Sequence, residues 1–429
     1  MTDATQQTAA GGIVQSYMHT AEIVERPAAD RPLRDTVDAI ADWLLGPALQ
    51  VATGAQAVDE FAWRMLAAGF PLARLTVHSG TLHPQFLGTS LTWWRDTAQT
   101  VQTYVEHGVV DVVAYHENPV LRVIQGAETL RRRVDVADSE LDLHILRDLK
   151  AKGCTDYLAL PIAGAHGRRY GVSYTTDCAG GFSTRQVAEL TRISQRLSIV
   201  CDSFMQRALM RHLLNIYLGS SAGPKVLAGQ IRRGTGEELT AVLWSSDLRG
   251  FTTRSDRLPG QQMVAILNEL FDAQASAICS HGGEILKFIG DGLLAIFPFD
   301  SPAKVSDAAH NAMAAAMRGL EAVQRLVDHP SMLGEPTLRI VVALHPGTVI
   351  YGNVGASDRL DFTAIGPAVN LVSRVETVAK ALDEPIVVTD EFAQAYGGPL
   401  RSLGIHQFRG VAKPRELFAP DGNAAAGGG

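Results

Sequence analysis

The sequence predicts an α+β protein made of two domains that a helix connects. Its 429 residues exceed the usual size of a single domain, and 46% of them are hydrophobic, which is enough for two buried cores. From Glu238 onward, the hydrophobic pattern indicates a strand, a helix and two further strands. Nearer the N-terminus, DYLALPIAG and RYGVSYTTD form a hairpin pattern that precedes a long helix.

The same patterns divide the chain into five segments. Residues 1–32 are polar and rich in Ala, Gly and Pro, so we expect them to be disordered. We then expect a first domain over 33–203, a helical linker over 204–236, a second domain over 237–420 and a flexible tail over 421–429.

Charge and cysteine usage exclude several classes of function. A formal net charge of −7 offers no basic excess for a nucleic-acid partner. The four cysteines lie far apart without a CxxC pair, which favours a reduced cytoplasmic protein over a disulfide framework or a zinc site. We find no secretory signal pattern and no run of 18 apolar residues, so we expect no membrane insertion.

The hairpin and helix of the first domain carry a resemblance to a known fold. The segment LALPI…GRRYGVSYTTDCAGGFSTRQVAELTRIS resembles the closing half of a GAF domain, a small-molecule sensor fold, while the earlier part resembles it poorly. A PAS-like or unrelated α+β domain stays open as an alternative. A GAF-like sensor implies an unknown small-molecule effector as a partner.

The connecting helix shows a heptad-like spacing. Its apolar residues Leu190, Ile193, Leu197, Val200 and Phe204 alternate at intervals of three and four, as in the seam of a parallel coiled coil. We therefore predict a dimerising coiled coil. The alternative is an amphipathic helix that packs on its own domain.

Two aspartates stand where strands end in the second domain. The strand LTAVLWSSD ends at Asp247, and the strands EILKFI and LLAIF are separated by Gly290-Asp291-Gly292. If the first strand lies beside this hairpin, Asp247 and Asp291 converge at one end of the sheet, as in a two-metal site. Taken singly, each could instead be a helix cap or a turn residue.

Three motifs, SSDLRGFT, GGEILKFIGDG and TAIGPAVNLVSRVE, occur in this order. Together they resemble the class III adenylyl/guanylyl cyclase catalytic domain from Glu238 to about Phe418. The resemblance implies a ferredoxin-like βαββαβ fold that converts ATP to 3′,5′-cyclic AMP and pyrophosphate. It also implies that Asp247 and Asp291, with the Leu248 carbonyl, hold two Mg²⁺ or Mn²⁺ ions per site.

The resemblance assigns further residues to the substrate. Lys287 and Thr363 match the base-reading positions, which in guanylyl cyclases usually carry glutamate and cysteine, so adenine is favoured. Asn370 and Arg374 match the pair that orients the ribose and stabilises the transition state, and their i, i+4 spacing places them on one helix face. Weaker matches to phosphate-contacting positions are Arg339 and Lys413.

In such domains one subunit supplies the metal aspartates and the other supplies the base-reading and Asn/Arg residues, which implies a head-to-tail homodimer. Ser245, Ala343 and Pro346 depart from the family pattern at positions that concern packing more than ligands. A guanylate or promiscuous cyclase, and a catalytically silent nucleotide-binding signalling module, remain alternatives.

Overall fold

The computed structural model describes residues 16–81, 85–111, 118–126, 128–136, 143–329, 332, 335–411 and 413–421. They form two compact units that divide between Leu213 and Leu214. Each unit has its own sheet and its own buried core.

The N-terminal unit is built on a seven-stranded sheet in the order β1-β4-β3-β2-β7-β6-β5, and every paired neighbour is antiparallel. Its strands are β1 (Met18–Glu25), β2 (Arg74–Gly80), β3 (Phe86–Trp94), β4 (Gln99–Glu106), β5 (Leu130–Arg133), β6 (Asp156–Ala163) and β7 (Arg169–Thr176). Its helices are α1 (Val37–Leu45), α2 (Gly54–Ala67), α3 (Pro119–Gly126), α4 (His144–Ala151) and most of α5 (Thr184–Leu218).

The two faces of this sheet are covered by different helices. The larger core packs α1, α2 and α5 on one face, around Phe61, Trp93 and Tyr174, all fully buried. A smaller core on the opposite face includes Val123 of α3 and Leu146 of α4. The predicted hairpin is present as β6 and β7, and Ser183 caps α5 by accepting a hydrogen bond from the Gln186 amide at 3.2 Å.

The expectation of disorder over residues 1–32 is wrong for Met18–Glu25. This segment forms β1, which pairs with β4 along its whole length, and the following Arg26 donates a 2.7 Å hydrogen bond to the fully buried Asp59. Most of the β1 side chains face solvent because the strand lies at a sheet edge, so the segment has no buried apolar face although its backbone is paired. Residues 1–15 lie outside the described residues, as do residues 422–429 of the predicted tail.

The coiled-coil interpretation is wrong for the first part of α5. Leu190, Ile193, Leu197 and Val200 are at most 3% exposed because they pack in the core of their own unit, and the partly buried Phe204 packs against the same core. A side chain buried in this way is not available to a second helix. The helical segment also ends earlier than expected: α5 stops at Leu218, and α6 spans only Ala222–Leu227.

The C-terminal unit contains an eight-stranded sheet. Its strands are β8 (Gly236–Leu248), β9 (Glu284–Ile289), β10 (Gly292–Pro298), β11 (Ile340–Gly355), β12 (Leu360–Ile365), β13 (Ile386–Thr389), β14 (Leu400–His406) and β15 (Arg415–Pro420). The helices after α6 are α7 (Phe251–Ser255), α8 (Gly260–Ser280), α9 (Val305–Arg325), α10 (Pro367–Leu382) and α11 (Asp390–Tyr396).

The order β14-β15-β13-β11-β8-β10-β9, with β12 paired to β11, contains the βαββαβ arrangement that the family resemblance implies. Strand β8 is central, so residues 241–246 are buried whichever face of the sheet they point to, and residues 241–244 form an unbroken apolar run. Val242 and Trp244 face the core beneath α8 and α9, and Ala241 and Leu243 face the core beneath α10. Pro259 stands directly before the first turn of α8, and His281 follows its last residue.

None of the described helices is both long enough and apolar enough to cross a membrane.

Candidate functional site

The two aspartates predicted to converge lie at the same end of the C-terminal sheet. Asp247 is at the end of β8, and Ser246 before it pairs with Leu293 of β10, two residues after Asp291. The turn between β9 and β10 is Gly290-Asp291, where Gly290 has a φ of +62°, a value that favours glycine. Burial, and then the neighbouring Asp247 carboxylate, raise the pKa of Asp291 above its usual range.

Gly292 is needed for this close approach. A Cβ atom at this position would lie 2.4 Å from the Ser246 carbonyl oxygen and 3.0 Å from Asp247 Oδ1. Any larger residue would therefore push β10 away from β8 or displace the Asp247 carboxylate. Glycine leaves open the space beside the carboxylate.

A lysine that the sequence analysis missed offsets part of the negative charge at this end of the sheet. Lys380 Nζ lies 2.5 Å from Asp247 Oδ2 and 3.0 Å from Glu376 Oε1. Partial burial opposes the charge of Lys380, but its hydrogen bonds to Asp247 and Glu376 outweigh this effect and raise its pKa. The i, i+4 spacing of Glu376 and Lys380 on α10 was a visible signal, but it predicts only a helix-surface pair.

The donor set at this position fits a hard divalent cation. Two carboxylates provide the oxygen ligands that Mg²⁺ prefers, and a cation between them would offset the repulsion that raises the pKa of Asp291. Within the described ranges, no three His, Cys, Asp or Glu side chains form a complete metal site. Mg²⁺ is commonly bound by one or two carboxylates and takes its remaining ligands from water and substrate phosphates.

Arg339 lies at the same end of the sheet. It directly precedes β11, where Val341 pairs with Asp247, and its Nη2 donates a 2.9 Å hydrogen bond to Asp383 Oδ1. Arg249, which the sequence analysis did not select, also binds Asp383 and donates to the Lys380 carbonyl oxygen at 2.7 Å. Two guanidinium groups therefore lie near the carboxylates, at a place suited to an anionic ligand.

A β-bulge sets the orientation of Lys287. Lys287 pairs directly with Leu294, but the next pair is Ile285 with Ala295, so Leu286 is an extra residue in β9. Directly paired residues share a face, and Leu294 belongs to the core beneath α10. The bulge therefore directs Lys287 to the α10 face of the sheet, where its ammonium binds Asp361 of β12.

Thr363 lies two residues after Asp361 on β12. Phe362 and Ala364 face the core, so Asp361 and Thr363 share the other face of this strand. The two predicted base-reading residues are thus placed near each other by the bond between Lys287 and Asp361. Asp361 was not among the site residues selected from the sequence.

Asn370 and Arg374 lie on the N-terminal half of α10. Asn370 is exposed and Arg374 is half-buried, with its guanidinium nitrogens 3.7 Å from where a Cβ would stand at Gly410. Lys413 follows in the same connection between β14 and β15, is exposed, and makes no hydrogen bond or ion pair with any described residue.

The structure does not bring Asn370 to the aspartates of the same chain. Asp247 contacts Lys380, ten residues further along the helix, which corresponds to about 15 Å of helical rise. Arg374 is six residues from Lys380, which corresponds to about 9 Å. Asn370 and Arg374 therefore lie apart from the aspartates along α10.

The three positions that depart from the family pattern lie in the paired strands β8 and β11. Ser245 is 6% exposed and donates a hydrogen bond to Glu376, so it helps to hold the carboxylate that binds Lys380. Ala343 is fully buried and pairs with Ser245 across β8 and β11. Pro346 pairs with Val242 further along the same two strands.

Comparison with known proteins places the C-terminal unit in a family. Residues 237–399 match the family model for the adenylate and guanylate cyclase catalytic domain. Adenylate cyclase 1 of Rhizobium meliloti is 33% identical over 144 residues, which is 34% of this chain and 21% of that protein. An adenylate cyclase of Anabaena cylindrica is 32% identical over 157 residues, which is 36% of this chain and 30% of that protein. The matched segment thus spans less than a third of each of these relatives.

Solved structures with similarity to this chain include adenylyl and guanylyl cyclases. The guanylyl cyclase Cya2 is 29% identical, with a TM-score of 0.37, and the match covers 43% of this chain and 92% of that one. The adenylyl cyclase CyaB from P. aeruginosa is 25% identical, with a TM-score of 0.39, and the match covers 43% of this chain and 94% of that one. The three sequence motifs and the match to the family model together identify residues 237–399 of the chain as a catalytic domain of the adenylate and guanylate cyclase family.

Proposed function

We propose that the C-terminal domain is an adenylate cyclase that converts ATP to 3′,5′-cyclic AMP and pyrophosphate at a homodimer interface. The observation that carries this proposal is the convergence of Asp247 and Asp291 on the glycine turn between β9 and β10. Two carboxylates at that position are suited to bind the cations that accompany a nucleoside triphosphate.

Asp247 and Asp291, with the Leu248 carbonyl, would hold two Mg²⁺ or Mn²⁺ ions. When bound, the ions would lower the pKa of the ribose 3′-hydroxyl and neutralise the triphosphate. Arg339 and Lys413 would bind phosphate oxygens, and Arg374 would offset the negative charge that develops around the α-phosphorus. Asn370 would orient the ribose.

The separation of the two residue groups supports a homodimer. Asn370 and Arg374 lie about 15 Å and about 9 Å along α10 from the helix turn that contacts Asp247. A second copy in a head-to-tail arrangement would place its Asn370 and Arg374 opposite the first copy's aspartates. Such a dimer has two equivalent sites.

Adenine specificity rests on Lys287 and Thr363. The bond between Lys287 and Asp361 holds the lysine beside β12, where it can donate to a ring nitrogen of adenine. The threonine hydroxyl can donate or accept a hydrogen bond. A guanylate or promiscuous cyclase is the second candidate, because both activities occur in the family.

The first experiment measures turnover of the full-length protein with ATP or GTP, in Mg²⁺ or Mn²⁺. We expect cyclic AMP from ATP, and little product from GTP. Asp291→Asn should abolish turnover, whereas Asp300→Asn should not, since Asp300 forms only an exposed pair with Lys304. A fully active Asp291→Asn variant would exclude the proposed metal role. Nucleotide binding without turnover in the wild type would favour a silent signalling module.

A mixing experiment tests the dimer. Asp247→Asn and Arg374→Ala should each be inactive, but a mixture should recover about a quarter of wild-type activity. Half of the dimers would be heterodimers, and each of these would contain one intact site and one doubly defective site. Continued inactivity of the mixture, with subunit exchange shown by a labelled copy, would exclude a site shared between subunits.

A third experiment exchanges the base-reading residues. The double change Lys287→Glu with Thr363→Cys should shift the preference from ATP towards GTP, because glutamate accepts hydrogen bonds where lysine donates them. Lys304→Glu is the matched surface control. An unchanged ATP preference would remove Lys287 and Thr363 from the specificity role.

We also propose that the N-terminal unit is a GAF-like sensor that regulates this activity through a small-molecule effector. Its buried hairpin β6–β7 and the capped helix α5 support this assignment. A substitution that prevents this unit from binding its effector should alter turnover without altering the nucleotide preference.

A further inference from the structure

The N-terminal unit contains a cavity of about 180 Å³. It lies between strands β2–β4, the start of α2, and the stretch of α5 from Leu197 to His212. These elements belong to the larger core, so the cavity is on the opposite side of the sheet from α3 and α4. All of its lining residues belong to this unit.

The inner wall of the cavity is apolar. It is formed by Val58 of α2, Val77 of β2, Leu91 of β3 and Leu197, Val200 and Phe204 of α5. An apolar cavity of about 150 Å³ is large enough to bind benzene. This cavity is therefore large enough for one aromatic ring, or a branched aliphatic chain, with a short extension.

The mouth of the cavity carries hydrogen-bond donors. Tyr104 accepts a hydrogen bond from Gln102 at 3.4 Å, and its own hydroxyl hydrogen has no acceptor among the described residues. Burial raises the pKa of Tyr104, and the positive charge of the nearby Arg211 opposes this effect. Arg211 is exposed and makes no hydrogen bond or ion pair within the described part of the chain.

The charge balance at the mouth favours a monoanion. Arg207 donates to the Leu49 carbonyl at 2.9 Å but has no described carboxylate partner, so its charge is not neutralised. Glu22 is the one carboxylate of the lining and accepts a hydrogen bond from Thr53 at 2.9 Å. The two arginines therefore exceed the single glutamate by one positive charge.

We propose that this cavity binds a small monocarboxylate whose ring or branched chain fills the apolar wall. Its carboxylate would accept hydrogen bonds from Arg211 and Tyr104. Because α5 supplies much of the lining and continues to Leu218 in the C-terminal unit, occupancy would stiffen this helix. The consequence for turnover rests on the proposed cyclase function, whereas the binding itself does not.

The test measures binding of 3-phenylpropionate to the full-length protein by calorimetry or ligand-observed NMR, with the neutral 3-phenylpropanamide for comparison. Arg211→Gln should weaken binding of the acid roughly tenfold or more, because a charge-assisted pair is lost, and change that of the amide much less. Arg196→Gln is the matched control, since Arg196 is on the same helix but outside the cavity lining. Ala208→Phe should block both probes, and Ser79→Val provides a milder filling variant if Ala208→Phe does not fold.

The proposal is supported if the acid binds at millimolar concentration and if Arg211→Gln weakens binding of the acid selectively. Absence of wild-type binding, or an equal loss in Arg211→Gln and Arg196→Gln, would overturn it. Turnover is then measured with and without the probe. Binding without a change in turnover would overturn only the regulatory part, and binding to a chain that has no cyclase activity would separate the two proposals.

Discussion

Replacing Lys380 with methionine tests the electrostatics of the candidate metal site directly. Lys380 Nζ lies 2.5 Å from Asp247 Oδ2 and 3.0 Å from Glu376 Oε1, and the lysine side chain is 39% exposed. Methionine keeps most of the length and removes the charge, so Asp247, Glu376 and Asp291 would repel one another without the cation that contacts Asp247 and Glu376 directly.

The contacts and the exposure of Lys380 set the expected loss of stability. A hydrogen bond to a charged group contributes about 1.5–3 kcal/mol, and the exposure of Lys380 reduces the pair's contribution to about 1–2 kcal/mol. For a unit of this size, Lys380→Met should lower the unfolding midpoint in EDTA by about 2–8 °C. Since a cation that binds Asp247 must displace the ammonium group, the same change should tighten Mn²⁺ binding by about 5- to 30-fold.

The assay combines calorimetric unfolding in EDTA and in Mn²⁺ with titration of Mn²⁺ in the absence of nucleotide. Lys304→Met is the control, because Lys304 forms a 2.8 Å pair with Asp300 in which both side chains are more than half exposed. The control should change neither quantity measurably. Equal midpoints for the two variants, together with equal Mn²⁺ affinity, would refute the view that Lys380 occupies the place of a cation.

Two further predictions concern the C-terminal unit. Gly292→Ala should lower the unfolding midpoint and abolish turnover, because its Cβ would lie 2.4 Å from the Ser246 carbonyl oxygen, whereas Gly260→Ala, with open space around it, should be tolerated in both assays. The second concerns His345. Burial lowers the pKa of this histidine to about 4, so the imidazole stays neutral in the folded protein, whereas in the unfolded chain it takes up a proton below about pH 6.5. Stability should therefore fall by roughly 2–3 kcal/mol between pH 6.5 and pH 4, and urea titrations of His345→Gln should show a weaker loss over this range.

The part of the site that could be predicted from the sequence is the part that depends on the order of the motifs along the chain. A strand that ends at Asp247 and a hairpin whose turn contains Asp291 specify two carboxylates at strand ends. The central part of β8 could be recognised from the unbroken apolar run over residues 241–244. The bulge at Leu286 could not be predicted, since one extra residue in a strand leaves the alternation of a short segment ambiguous. The partnership of Asp247 with Lys380 joins residues 133 positions apart, and no local pattern encodes it.

The incorrect expectations also have physical causes. Spacing of three and four places Leu190, Ile193 and Leu197 on one helix face, but it does not specify whether a second helix or the protein's own sheet covers that face. The composition of residues 1–32 as a whole suggested disorder, although pairing with β4 satisfies the backbone of Met18–Glu25. Side-chain composition is a poor guide to an edge strand, because only its backbone needs a partner.

Strand β1 also protects the N-terminal sheet from association with other chains. The opposite edge, β5, has only four residues, Leu130–Arg133, three of which are arginines, so it is a poor template for another strand. The β1 edge carries the exposed His19 and Glu25, which reduce the same risk. If proteolysis removed the chain up to Glu25, the unpaired backbone of β4 (Gln99–Glu106) would be exposed over eight residues. Such a trimmed protein would form intermolecular β-sheet and aggregate while its catalytic domain remained folded.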